Sequence, residues 1–128
     1  MAKVKTGELI GAQLDWMVAK ADDNLHPKGD VRLLDGKVFT IEAGDYERSD
    51  RWQRYSPSTV WAQGGPLLNQ HKISRTIDHS GLWIAYAGYN LNDEQRHMQC
   101  DRSELVAGLR CLVALNLGEV VDVPEEML

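Results

Sequence analysis

Two stretches near opposite ends of the chain repeat apolar residues at spacings of three and four, and stripes of this kind must share a surface to bury against. The first runs through Ile10, Leu14, Met17, Val18 and Ala21, which fall on one face of a helix. Gly11 weakens its opening turn, so regular helix is expected from near Ala12, with Thr6 as the capping residue. Asp22-Asp23-Asn24, then Pro27 and Gly29, close it. The second stripe is Leu105, Leu109, Leu112 and Val113, widened by Val106 and Leu117. Asp101 and Glu104 stand before it at capping-box spacing, and Gly118 follows where a left-handed cap belongs. That wide apolar face serves either the core or a dimer contact, and the core is the simpler use.

The material between the helices reads as strand and turn. Val31 to Glu42 holds two short strands around Asp35-Gly36, a dipeptide suited to the positive φ angles of a type I′ hairpin. Ile73 to Asp78 and Leu82 to Ala87 form a second hairpin around His79-Ser80-Gly81, with Trp83, Ile84 and Tyr86 suiting a half-buried sheet. Ala43 to Gln70 carries turn chemistry at Gly44, Ser56-Pro57-Ser58 and Gly64-Gly65-Pro66 and is expected to be a long loop, ordered by Trp52, Tyr55, Trp61, Leu67 and Leu68. Gly88 to Gln99 is polar and expected to be mobile, and Glu119 to Val123 is a last strand stopped by Pro124. The predicted fold is α+β, with two helices packed on a small, mostly antiparallel sheet in the order α-β-β-(long loop)-β-β-α-β, as one domain over residues 1–128.

Composition narrows the function classes. The chain is 43% apolar and 26% charged, which suits a globular domain and not a disordered one. Its formal net charge of −5 disfavours non-specific nucleic-acid binding. Glu119, Asp122, Glu125 and Glu126 make an acidic tail, read as a solvated end rather than a polyanion mimic. Cys100 and Cys111 are the only cysteines, the start lacks a signal-peptide pattern, and no apolar run approaches membrane-span length. Reduced thiols, a cytoplasmic setting and no membrane partner are expected.

The densest mixture of polar and aromatic groups runs from Arg51 to Pro66. Arg54, Tyr55, Ser56, Ser58, Thr59, Trp61, Gln63, Gly64 and Gly65 are the candidate binding residues: guanidinium and rings to hold a phosphate and stack a base, hydroxyls and an amide to orient a polar ligand, and glycines for close backbone approach. The competing reading is a self-packed loop whose hydroxyls cap turns. The pattern of a phosphate-binding P-loop is absent. A direct nucleic-acid contact through Arg48, Arg51 and Arg54 is the alternative, weakened by the interleaved Asp45, Glu47 and Asp50.

No catalytic, metal or cofactor site is expected. His97 and Cys100 stand three apart, but no second pair at finger spacing joins His71 and His79 to them. Asp78-His79-Ser80 has the letters of a triad without its geometry. Scattered acids such as Asp15, Asp45 and Glu47 are what any such chain offers, a small nucleotide-processing enzyme remaining as a third alternative. Trp16, beside the first stripe, is expected to pack at the core or its edge, and Cys111 to be a small core residue.

Three blocks in order then carry a resemblance: Lys3-Val4-Lys5-Thr6 through Leu14-Asp15-Trp16-Met17-Val18-Ala19-Lys20-Ala21; Tyr55-Ser56-Pro57-Ser58-Thr59 through Trp61-Ala62-Gln63-Gly64-Gly65-Pro66-Leu67-Leu68; and Leu109-Arg110-Cys111 through Leu117-Gly118-Glu119-Val120-Val121-Asp122-Val123-Pro124. Together they resemble the NinX-like family of small phage and prophage proteins. The chain departs from the family pattern at Val60 and at Asn69-Gln70-His71. The resemblance implies a phage origin, action in the cytoplasm of the bacterial host, and no catalytic residues. The resulting expectation is a non-enzymatic accessory protein that uses residues 55–66 to bind a host protein or a small nucleotide-like molecule, as a monomer or a homodimer.

Overall fold

The computed structural model describes residues 2–22, 29–42, 52–87 and 97–128. Among the described residues it is an α+β fold of three α-helices and three small antiparallel sheets. Strand β1 (Ala2–Lys5) pairs with β8 (Val120–Val123), joining the two ends of the chain in the register Ala2↔Val123 to Lys5↔Val120. Thr6 does not cap a helix as expected. It is buried, its hydroxyl donates to the Gly118 carbonyl at 2.7 Å and its amide to Glu119 at 2.9 Å, so it fastens the start of the chain to the last strand. A 3-10 turn, Thr6–Glu8, leads to helix α1 (Gly11–Ala21).

The stripe of α1 is buried at Leu14, Met17, Val18 and Ala21, whereas Ile10 precedes the helix and is exposed. Strands β2 (Gly29–Leu34) and β3 (Lys37–Glu42) form the first hairpin, with Asp35 at φ 52° and Gly36 at φ 73°, the two positive angles of a I′ turn. A short β4 (Gln53–Arg54) adds to the free edge of β3. Beside it the Arg32 guanidinium lies 4.4 Å from the Trp52 ring centre. The second hairpin is β5 (Ser74–Ile77) and β6 (Trp83–Ala87), extended by β7 (His97–Asp101). β7 lies partly in the segment expected to be mobile; residues 88–96 of that segment are outside the described residues.

Helix α2 (Trp61–Gln70) replaces the expected loop over its last ten residues. Gly64-Gly65-Pro66 is poor helix sequence by propensity. Packing overrides that preference. A Cβ on Gly64 would overlap the Pro57 carbonyl oxygen and lie 2.9 Å from Leu105, so only glycine lets α2 seat on the turn before it.

Helix α3 (Glu104–Leu117) is the centre of the fold. Its N-cap is Ser103, whose Oγ accepts the Val106 amide at 3.2 Å; Asp101 instead accepts the Ser103 amide at 2.9 Å, which corrects the expected capping box. α3 packs on α1 and α2 with one side and on the β5-β6-β7 sheet with the other. From Leu105 to Ala114 every residue is therefore buried except the half-buried Val106, as a helix covered on two sides requires, while Leu117 is exposed. Its apolar face is spent on the chain's own core. Arg110 sits in this interior and donates to the Leu9 carbonyl at 2.8 Å, the Cys100 carbonyl at 3.3 Å and Asp101 Oδ1 at 3.2 Å, tying the segment before α1 and β7 to α3.

Candidate functional site

The segment before α2 is held in one shape by its own polar groups. The Tyr55 amide donates to the Val38 carbonyl at 2.8 Å, continuing the β3–β4 pairing. The Ser56 amide donates to Gln63 Oε1 at 2.6 Å, and Gln63 Nε2 donates to the Arg54 carbonyl at 3.1 Å, so this side chain bridges the segment to the helix it precedes. The Ser56 carbonyl accepts the Thr59 and Val60 amides at 3.1 and 2.8 Å, closing the turn. The Thr59 hydroxyl points the same way, 3.4 Å from that oxygen.

Of the nine residues singled out from the sequence, the structure divides inward from outward. Ser56, Ser58, Gly64 and Gly65 are buried, and Gln63 is occupied on both polar atoms. They act as scaffold, and the two glycines allow close packing of the chain on itself. Arg54, Thr59 and Trp61 face outward with Val60. Trp61 is 50% exposed, an unusual position for the largest side chain. Its indole is nonetheless fixed: a Cβ on Gly65 would lie 2.8 Å from Nε1 and 2.9 Å from Cε2, so the ring rests on the bare backbone one turn along. Ala62, Pro66, Asn69 and Gln70 complete the exposed side of α2. Arg48 and Arg51 of the nucleic-acid alternative lie outside the described residues.

Tyr55 and Ser58 turn into the molecule, toward groups the sequence did not single out together. Asp15 on α1 is 5% exposed, and its Oδ1 accepts the Ser58 amide at 2.8 Å. Burial holds the Asp15 carboxyl above its ordinary range, offset in part by the Ser58 amide and hydroxyl and by the Arg54 charge. Two turns on, at the C-cap of α1, Asp22 is 6% exposed with its Oδ1 3.5 Å from His71 Nε2. Burial, reinforced by the charges of Asp22 and then Asp15, pushes the Tyr55 phenol far above its ordinary range. Tyr55 Oη and His71 Nε2 are buried without a hydrogen-bond partner among the described residues, whereas the Ser58 hydroxyl faces the Asp15 carboxylate. The available signal in sequence was an acid beside the apolar stripe and a second one seven residues later, hence on the same helical face. Trp16 packs at the edge of both hydrophobic clusters, as expected, with the Lys20 ammonium 4.8 Å from its ring centre.

The other motifs are structural. Asp78 Oδ1 accepts the Ser80 hydroxyl at 2.6 Å, the Ser80 amide at 2.8 Å and the Leu82 amide at 3.0 Å, an Asx turn that uses up the serine. The Ser80 hydroxyl and the Leu82 amide hold that carboxyl below its usual range. Cys111 is buried and its thiol is pushed up to about 12 by burial, with Glu119 adding to the effect, whereas Cys100 is exposed. Among the described residues no three His, Cys, Asp or Glu side chains gather as metal ligands would, and no helix is long and apolar enough to cross a membrane.

A family model described as "Bacteriophage P22, NinX" matches residues 5–116. No curated protein matches the sequence. The matched span takes in α1, the Tyr55–Val60 turn, α2, both hairpins and nearly all of α3.

Proposed function

The chain belongs to the bacteriophage P22 NinX family and is a phage accessory protein; we propose that it acts by non-enzymatic binding of a host protein, through the outward side of α2 and the turn before it. Trp61 carries this reading. A half-exposed tryptophan held against the Gly65 backbone offers a large rigid contact area at little cost in conformational entropy, the property that makes tryptophan an interface anchor. Val60 and Thr59 beside it, and Arg54 on β4, supply an apolar rim, a hydroxyl and a charge. The small nucleotide-like ligand has less support, since of the groups that would orient it Ser56 is buried and the Gln63 amide is engaged within the chain on both polar atoms.

Native mass spectrometry of the protein purified from bacterial host cells tests the proposal. The wild-type chain is expected to carry a protein partner, and Trp61→Ala to lose it through an affinity drop of about thirtyfold, the scale of an interface hot spot. A wild-type chain that emerges without a protein partner, or a partner held equally by Trp61→Ala, overturns the assignment. A retained nucleotide in place of a protein would favour the small-ligand reading.

A further inference from the structure

We propose that the outward face of the β2-β3-β4 sheet binds single-stranded nucleic acid, with phosphates held by Arg32, Lys37 and Arg54 and a base resting on Phe39. The site uses neither Trp61 nor the exposed side of α2, and it needs neither Arg48 nor Arg51. Arg54 alone borders both surfaces.

Strand alternation sorts the side chains of this sheet. Val31 and Val38 turn inward to the small cluster around Ala19, with Leu33 and Tyr55 packed on it. On the opposite face Ile41 is covered, but the rows nearer the hairpin turn are open. The register sets Arg32 opposite Phe39 and Phe39 opposite Arg54, so one row across the three strands reads cation, ring, cation. The two arginine backbones are two strand spacings apart, about 10 Å. The next row on the same face is Leu34 opposite Lys37. Arg32, Lys37 and Arg54 are exposed, and Phe39, half-buried, keeps part of its ring at the surface.

Charge on these rows has one sign. The acids of the two hairpin strands, Asp30 and Glu42, stand at the end away from the turn, and Asp35 is in the turn itself. None of the three cations is in a salt bridge among the described residues, although the Arg54 charge acts on the buried Asp15. In a chain of net charge −5, three cations left on one sheet face repel one another, and an anionic ligand turns that cost into attraction. The Arg32 guanidinium is seated over the Trp52 ring, 4.4 Å from its centre. No side-chain N–H of Arg32 is hydrogen-bonded among the described residues, so its planar fork is both held in place and open to a phosphate. A ring between cations favours nucleic acid over an acidic peptide, since any base can stack on it while phosphates meet the charges. A base must leave its own stack to reach such a ring, hence a single strand.

Fluorescence anisotropy of the full chain with a labelled oligothymidylate of about twelve nucleotides tests the site. Saturable binding is expected at low salt, weakening about twentyfold for each fourfold rise in sodium chloride, the dependence of three phosphate contacts on a single strand. Arg32→Gln and Lys37→Gln change exposed positions and leave the core intact. Each is expected to weaken binding several-fold and to flatten the salt dependence by about one third. Phe39→Leu is expected to weaken binding about tenfold with the salt dependence kept, in a chain that still melts cooperatively. Lys3→Gln, on the separate β1-β8 sheet, is expected to bind like wild type, which shows that net charge alone is not being read. Competition by polyglutamate as strong as by unlabelled oligothymidylate would assign the face to an acidic protein segment and overturn the inference. Tighter binding of a duplex of the same length would overturn it too. So would the absence of saturable binding at low salt, or binding that Arg32→Gln and Lys37→Gln leave unchanged.

Discussion

Replacing Gly64 and Gly65 in turn by alanine gives opposite outcomes from the same chemical change. In a helix interior, Gly→Ala contributes about 1 kcal/mol of stability through propensity alone. At Gly64 the added methyl meets the Pro57 backbone carbonyl and, at 2.9 Å, Leu105 Cδ2. A carbonyl inside a hydrogen-bonded turn cannot swing aside, so α2 must lift from the turn and from α3, an overpacking cost of about 3 kcal/mol. The net for Gly64→Ala is a loss of about 2 kcal/mol, which at about 4 °C per kcal/mol for a chain of this size lowers Tm by about 8 °C. At Gly65 the three atoms nearest to the methyl all belong to the Trp61 indole, a half-exposed side chain with room to rotate outward. Gly65→Ala should therefore melt within about 3 °C of wild type or slightly above it, while tryptophan fluorescence reports a displaced indole. Thermal melts by circular dichroism provide the comparison. A Gly64→Ala protein as stable as Gly65→Ala would refute the reasoning, because α2 would not then be seated as described.

Other substitutions probe the buried polar groups. Asp15→Ala leaves the Ser58 amide without its acceptor and should cost about 1–3 kcal/mol, whereas Asp15→Asn keeps an acceptor oxygen and should cost less than about 1 kcal/mol in urea unfolding at neutral pH. Because burial raises the Asp15 carboxyl above its ordinary 3.8, the folded chain holds that proton more tightly than the unfolded one. Its contribution to stability falls as pH rises from 3.8 through the raised value, and Asp15→Asn should lack that fall. Arg110→Met should lower the urea midpoint by the equivalent of about 3–5 kcal/mol, since it strips the Leu9 and Cys100 carbonyls and Asp101 of a buried cation; a midpoint near wild type would contradict that role. Cys100 should react with iodoacetamide in the native protein, and Cys111, buried with its thiol pushed up to about 12, only on unfolding; equal native reactivity would contradict the packing of α3.

Periodicity made α1, α3 and both hairpins legible, because the stripes and the Asp35-Gly36 turn are local signals that tertiary packing reinforces. Helix α2 was hidden by its own glycines. Gly64-Gly65-Pro66 has the chemistry of a turn, and the reason for those residues is a close approach to Pro57, Leu105 and Trp61 that only the folded chain reveals. The last strand was legible ahead of Pro124, but β1 and its pairing with β8 were hidden, since the pairing joins strands more than a hundred residues apart. At the site, the sequence correctly marked an ordered aromatic segment but could not tell which of its polar groups spend themselves on turns. Ser56 and Gln63 bond each other, while Trp61 is left outward. The meeting of Asp22 and His71 depends on two helix ends converging, for which no spacing in the chain is a signal.

The account turns on an indole that is both outward and fixed. Its most direct test is the dissociation constant of the co-purified host partner for Gly65→Ala, measured beside wild type and Trp61→Ala. Displacing the ring without removing it should weaken binding at least about tenfold, in a protein whose Tm is essentially unchanged. Wild-type affinity in both substituted proteins would contradict the claim that this face of α2 is where the partner binds.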